Sequence, residues 1–191
     1  PSLVIMLTVV IATDGEASDG DVTAALKPLE KLPVLLVLRL CTDDENVTKY
    51  WNEVDKQLEL EVDVLDDLCA ETSEVSKANP WLTYTDSFHK MREFGASIKE
   101  MDLIDESRLS SEQMRVIIAA LLFDGKKKSV PHPDEDWGRF ATSVKKALKD
   151  HKRQQSFDIN TGKLRPLIDM KELKDAYGST GKDASAVCTI S

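Results

Sequence analysis

Leu3 to Ala12, LVIMLTVVIA, is an almost unbroken apolar run that stops at Thr13-Asp14-Gly15 and gives way to the acidic stretch Glu16-Ala17-Ser18-Asp19-Gly20-Asp21. A β-branched run of this length predicts a strand buried on both faces, as central strands of parallel sheets are. An acid at its carboxyl end then sits where open α/β sheets bind their ligands, in the crevice beyond the strand tips. Asp14 is therefore the first candidate for function. The run is shorter than the roughly 20 apolar residues that a bilayer span needs. It also lacks the basic leader of a signal peptide, since no Lys or Arg precedes Lys27.

The elements downstream continue one pattern. Asp21 is placed to cap a helix over Val22 to Lys27, which Pro28 interrupts or restarts. Val34 to Leu40, VLLVLRL, reads as a second buried strand, and Thr42 to Glu45 has the spacing of a capping box. Val47, Tyr50, Trp51, Val54 and Leu58 fall at helical spacing. Leu58, Leu60, Val62 and Val64 then alternate with Glu59, Glu61 and Asp63, the period of an edge strand with one wet face. Asp66 or Asp67 caps a helix that ends near Asn79-Pro80, with Cys69 on its apolar side as a small buried residue. Alternating strands and helices over the first 79 residues predict right-handed parallel crossovers and a layered α/β unit. Three strands make a thin sheet, so further partner strands are expected upstream of Pro1.

From Trp81 onward the pattern is mainly helical. Phe88, Met91 and Phe94 predict a short amphipathic helix closed by Gly95, and Ser110 to Gln113 offers a capping box for the apolar Met114 to Phe123. Asp136 caps a helix carrying Trp137, Phe140, Val144 and Leu148 at helical spacing. Phe157 to Leu164 predicts a hairpin around Asn160 to Gly162, and Asp169 caps a last helix over Met170 to Tyr177, with Gly178 as its stop.

Composition fits a compact chain of 191 residues able to bury a core without staples. Cys41, Cys69 and Cys188 show no CxxC spacing, so neither a disulfide framework nor a zinc site is indicated and a reducing, cytoplasmic setting is expected. A net charge of -9 argues against nucleic-acid binding, because the basic runs Lys126 to Lys128 and Lys145 to Arg153 are short. His89, His132 and His151 stand in no catalytic spacing, and the chain is not expected to be an enzyme. The phosphate-binding loop GxxxxGK[ST] is absent, Gly178 to Lys182 being its nearest approach. Cys188-Thr189-Ile190-Ser191 fits a prenylation box whose terminal Ser favours farnesyl. One such chain at Cys188 gives peripheral, reversible membrane contact.

An apolar strand running into Thr13-Asp14-Gly15, an acidic loop, a helix, a second apolar strand, a helix, a third strand and a last helix resembles the carboxyl-terminal half of a von Willebrand factor type A domain, over roughly residues 3 to 80. The resemblance implies an α/β fold with three layers and a mostly parallel sheet, an incomplete type A or Rossmann-like arrangement, over residues 1–80. A mainly helical extension with a small hairpin over 81–178 and a flexible tail over 179–191 would follow it. It also implies a protein-interaction module in which Asp14 belongs to a metal-ion-dependent adhesion site and a Mg²⁺ ion accepts a carboxylate from a protein partner. The family's Asp-x-Ser-x-Ser segment and its separate metal-binding Thr have no counterpart in the sequence. Glu16, Asp19 and Asp21 do not replace them, because Gly20 is misplaced for a calcium loop, and the ion is expected to bind weakly. The alternative is a phosphotransfer or phosphatase-type hydrolase using Asp14, at a strand tip, as nucleophile.

Overall fold

The structure is a computed structural model that describes residues 7–95, 98–150 and 155–178, residue 99 by its backbone alone. The protein is mixed α/β, with a small parallel three-stranded sheet and several helices. It divides into two compact units, Pro1–Glu71 with Asp86–Ile98, and Thr72–Thr85 with Lys99–Ser191.

The first unit is built on strands β1 (Leu7–Thr13), β2 (Val34–Leu40) and β3 (Glu61–Leu65). They are parallel in the order β1-β2-β3, with Leu7 opposite Val34 and Thr13 opposite Leu40. The strand at the centre is therefore β2, whose Leu36, Val37 and Leu38 are wholly buried. The double-sided burial expected of β1 is corrected: among the described residues it is an edge strand, with Leu7 and Val10 exposed. Apolar composition alone does not tell a centre strand from an edge that lacks a neighbour.

Asp21 caps α1 (Val22–Leu26), accepting from the Ala24 amide at 3.0 Å, and Pro28 lies in the 3-10 turn Lys27–Lys31 that follows. Helix α2 (Glu45–Asp55) is capped by Asp44 at the Asn46 amide. The reciprocal box expected of Thr42 and Glu45 does not form; the Thr42 hydroxyl accepts from the Asp44 amide and shapes the turn before the cap. Val47, Trp51 and Val54 of α2 pack with Leu26, Val34, Leu36, Leu38 and Leu40 in one core.

Helix α3 (Leu68–Ala78) starts on Asp67, which accepts from the Cys69 and Ala70 amides, and it stops before Pro80. Cys69 is exposed in this first turn, a correction to its expected burial. Helix α4 (Asp86–Glu93) buries Phe88, His89 and Arg92, while Met91 and Phe94 are exposed. Its buried stripe thus differs from the one expected, because two polar side chains find partners inside. Gly95 ends α4 at φ +69°, where a Cβ would stand 2.5 Å from the Thr8 methyl. Any other residue there would both strain the backbone and collide with the Thr8 side chain.

In the second unit, Asn79 donates to the carbonyls of Ile104 and Ser107 and accepts from Trp81 Nε1 and the Leu109 amide. A buried amide with all these groups satisfied fixes three chain segments at once. After α5 (Lys99–Asp102), helix α6 (Ser111–Leu122) carries the expected capping box, the Ser110 hydroxyl and Gln113 side chain each meeting the other's backbone amide. Asp136 starts α7 (Trp137–Asp150) at the Arg139 amide, with Phe140 and Val144 buried. The hairpin of β4 (Ser156–Asp158) and β5 (Lys163–Arg165) forms as expected, as does α8 (Met170–Tyr177) on the Asp169 cap. Among the described residues no helix is long and apolar enough to cross a membrane.

Candidate functional site

Because β1, β2 and β3 run parallel, the chain segments that leave them share one rim of the sheet. Thr13-Asp14-Gly15 leaves β1, Cys41 to Asp44 leaves β2, and Asp66-Asp67 leaves β3. From Ala12 to Val22 and from Leu40 to Thr48 there is no Lys or Arg, so the rim is acidic.

The turn that carries Asp14 is held from both sides. Its Thr13 hydroxyl donates to the Gly15 carbonyl at 3.1 Å and accepts the Gly15 amide at 3.3 Å. The indole Nε1–H of Trp51 in α2 donates to the same Gly15 carbonyl at 3.0 Å, and the Cys41 amide reaches the Thr13 carbonyl at 2.7 Å. A bend clamped in this way holds the backbone from which Asp14 projects. Asp14 is exposed, and its carboxylate makes no hydrogen bond or ion pair among the described residues.

The other rim acids are mostly committed. Asp44 and Asp67 cap helices. Asp66 accepts from the Asp67 amide at 2.8 Å and from the Thr48 hydroxyl at 3.5 Å. Burial pushes its carboxyl above the ordinary range, and the Asp67 and Asp43 charges add to that. Asp43 is exposed. Glu16 and Asp19 are exposed on the loop beyond Asp14, whereas Asp21 is engaged as the α1 cap.

Among the described residues no three His, Cys, Asp or Glu side chains stand close enough to hold a metal. Asp14 fits a role as one ligand in a shell completed by water and by an incoming group. It does not fit a preformed cage.

The histidines lie elsewhere. His89 is buried in α4 with Nε2 3.4 Å from Glu93, and His132 faces Glu112 at 3.3 Å in the second unit. His151 and the proposed lipidation residue Cys188 lie outside the described residues.

The sequence did not reveal one polar cluster beneath the sheet. Arg92, 2 % exposed, donates to both oxygens of Asp63, at 2.9 and 3.3 Å, and to Glu71 at 2.7 Å. The second Glu71 oxygen accepts the Asp66 amide at 3.1 Å. On the expected wet face of β3, Glu61 is exposed, whereas Asp63 is mostly covered and meets Arg92. An arginine one turn after Phe88, on the same face of α4, was the available signal.

Comparison with known proteins finds no matching family model, curated protein or solved structure.

Proposed function

We propose that the sheet-bearing unit is a metal-dependent protein-interaction module of the von Willebrand factor type A kind, in which Asp14 and a partner's carboxylate share a Mg²⁺ ion. The observation that carries this is the Asp14 side chain itself: outward, uncommitted, and mounted on a turn clamped by Thr13 and Trp51. The same proposal takes the unit as a three-layer arrangement, with α1 and α2 against one face of the sheet and α4 against the other.

Magnesium keeps several waters and takes one or two carboxylates, so Asp14 plus one carboxylate from outside makes an adequate shell. The ion and the partner then bind together, each weakly without the other. Surrounding acids raise the local concentration of cations and repel an anionic partner until the ion is present. No catalytic step is part of this account. The cytoplasmic setting, and farnesyl attachment at Cys188 with peripheral membrane contact, remain proposals drawn from the sequence.

A peptide array bearing Asp and Glu side chains, probed with the full chain, tests the reading. Retention is expected with Mg²⁺ and is lost on chelation and in Asp14→Asn with unchanged circular dichroism. Retention that survives either change contradicts it, as does micromolar Mg²⁺ binding by this chain alone. Hydrolysis of a phosphomonoester that disappears in Asp14→Asn would favour the strand-tip nucleophile instead.

A further inference from the structure

Helices α2 and α4 pair exposed lysines with acids of their own: Lys49 with Glu45, Lys56 with Glu53 and Lys90 with Asp86. Helix α7 does not. Over residues 137–149 it carries Arg139, Lys145, Lys146 and Lys149, all exposed, and no acid. Among the described residues none of these four side chains makes an ion pair. Helix stability does not ask for the arrangement. Arg139 stands in the first turn, where the helix dipole favours an acid, and only Lys149 takes the last-turn place that favours a cation. Lys145 and Lys146 each have Lys149 as a like-charged neighbour, four and three residues on.

The cations border a groove. Pro131 of the preceding loop lines one side, and Gly138, Arg139, Thr142, Ser143 and Lys146 of α7 line the other, around an open volume of about 420 Å³. Asp136 is engaged as the helix cap, and Asp134 and Glu135 do not line the groove. We propose that this groove docks an extended acidic segment of a partner protein, with carboxylates on Arg139 and Lys146 and with the Thr142 and Ser143 hydroxyls meeting its backbone.

Spacing and charge select the occupant. Seven residues separate Arg139 from Lys146, about 10.5 Å along the helix axis. Three residues of a polyproline II chain span about 9.3 Å and return the side chain to the same side, so acids three apart match the two cations. The guanidinium takes a carboxylate in its planar fork, and the Lys146 ammonium is a second, less directional anchor. The net charge of -9 repels a long polyanion such as a nucleic acid, and no aromatic side chain lines the groove for bases to stack on. A helix that lies on a membrane offers large apolar side chains for insertion, whereas this lining is cationic and hydroxylic apart from Pro131 and Gly138. A short acidic segment meets neither objection.

Fluorescence anisotropy of a labelled peptide of four Glu-Pro-Pro repeats, titrated with the full chain at low salt, tests the proposal. A chelator is present throughout, which removes any ion-bridged binding at Asp14. Saturable binding is expected, weakening as ionic strength rises and absent with Gln-Pro-Pro repeats. The double variant Arg139→Gln with Lys146→Gln is expected to bind about threefold or more weakly. Lys31→Gln, on the other unit, is expected to bind as wild type does. A Kd above about 1 mM for wild type, or a folded double variant that binds as tightly as wild type, overturns the proposal. If the double variant unfolds, Lys146→Gln alone decides in the same way. Tighter binding to phosphatidylserine vesicles or to single-stranded DNA, lost in the same variant, overturns the peptide as occupant. Equal affinity for a peptide whose four glutamates are contiguous overturns the spacing.

Discussion

Arg92 is the residue on which the far face of the sheet depends, since its buried guanidinium serves the buried Glu71 and the half-buried Asp63 together. Removing it leaves two carboxylates without their cation. Arg92→Met is expected to lower stability by about 3–5 kcal/mol, read by chemical denaturation and by loss of β3 amide protection. Arg92→Lys should recover only part, because one ammonium does not reproduce the planar fork. His89 gives a second test. Burial pulls its pKa below the ordinary 6.5, with Arg92 and Arg39 acting the same way and Glu93 opposing. Below about pH 6.5 the unfolded chain therefore takes up a proton that the folded one refuses, and stability falls as pH drops toward the folded value. Denaturation midpoints at pH 7.5 and 5.5 should differ less in His89→Asn than in wild type. Asp14 was legible in the sequence because a strand that ends in Thr-Asp-Gly announces its own tip. The Arg92 cluster was not, because a hydrophobic period records which face is apolar and not which charges are paired beneath it.

At the scale of the element, capping chemistry decides where helices begin. Ser110 and Gln113 satisfy two amides reciprocally at the start of α6, so Ser110→Ala is expected to cost about 1 kcal/mol, measured as a shift in the denaturation midpoint. Asp21, Asp67, Asp136 and Asp169 act at their helices as the sequence indicated, because a capping side chain needs only its local spacing. Thr42 shows the limit of that logic. The box it spells is overridden when Asp44, two residues on, reaches the Asn46 amide first. β1 and β2 show another limit: their compositions are nearly alike, yet one is the centre and the other an edge, and the difference lies in neighbours that composition does not encode. The face of α4 was misread for a related reason. Met91 and Phe94 are as apolar as Phe88, but His89 and Arg92 have partners inside and turn the helix toward them.

For the whole molecule, the chain forms two compact units. The second holds its helices around Asn79 and the Trp81 and Tyr177 pair. The first gathers strand tips and an acidic rim, on which Asp14, like Asp43, Glu16 and Asp19, makes no hydrogen bond or ion pair among the described residues, and the proposed function rests there. Its claim stands on whether Asp14 holds a cation. Mn²⁺ accepts the same oxygen ligands as Mg²⁺ and broadens nearby NMR signals, so titrating it into the labelled full chain locates the ion directly. Broadening centred on Thr13, Asp14 and Gly15, and absent from Asp14→Asn, is the result predicted. Broadening centred elsewhere, or unchanged in Asp14→Asn, would contradict the assignment.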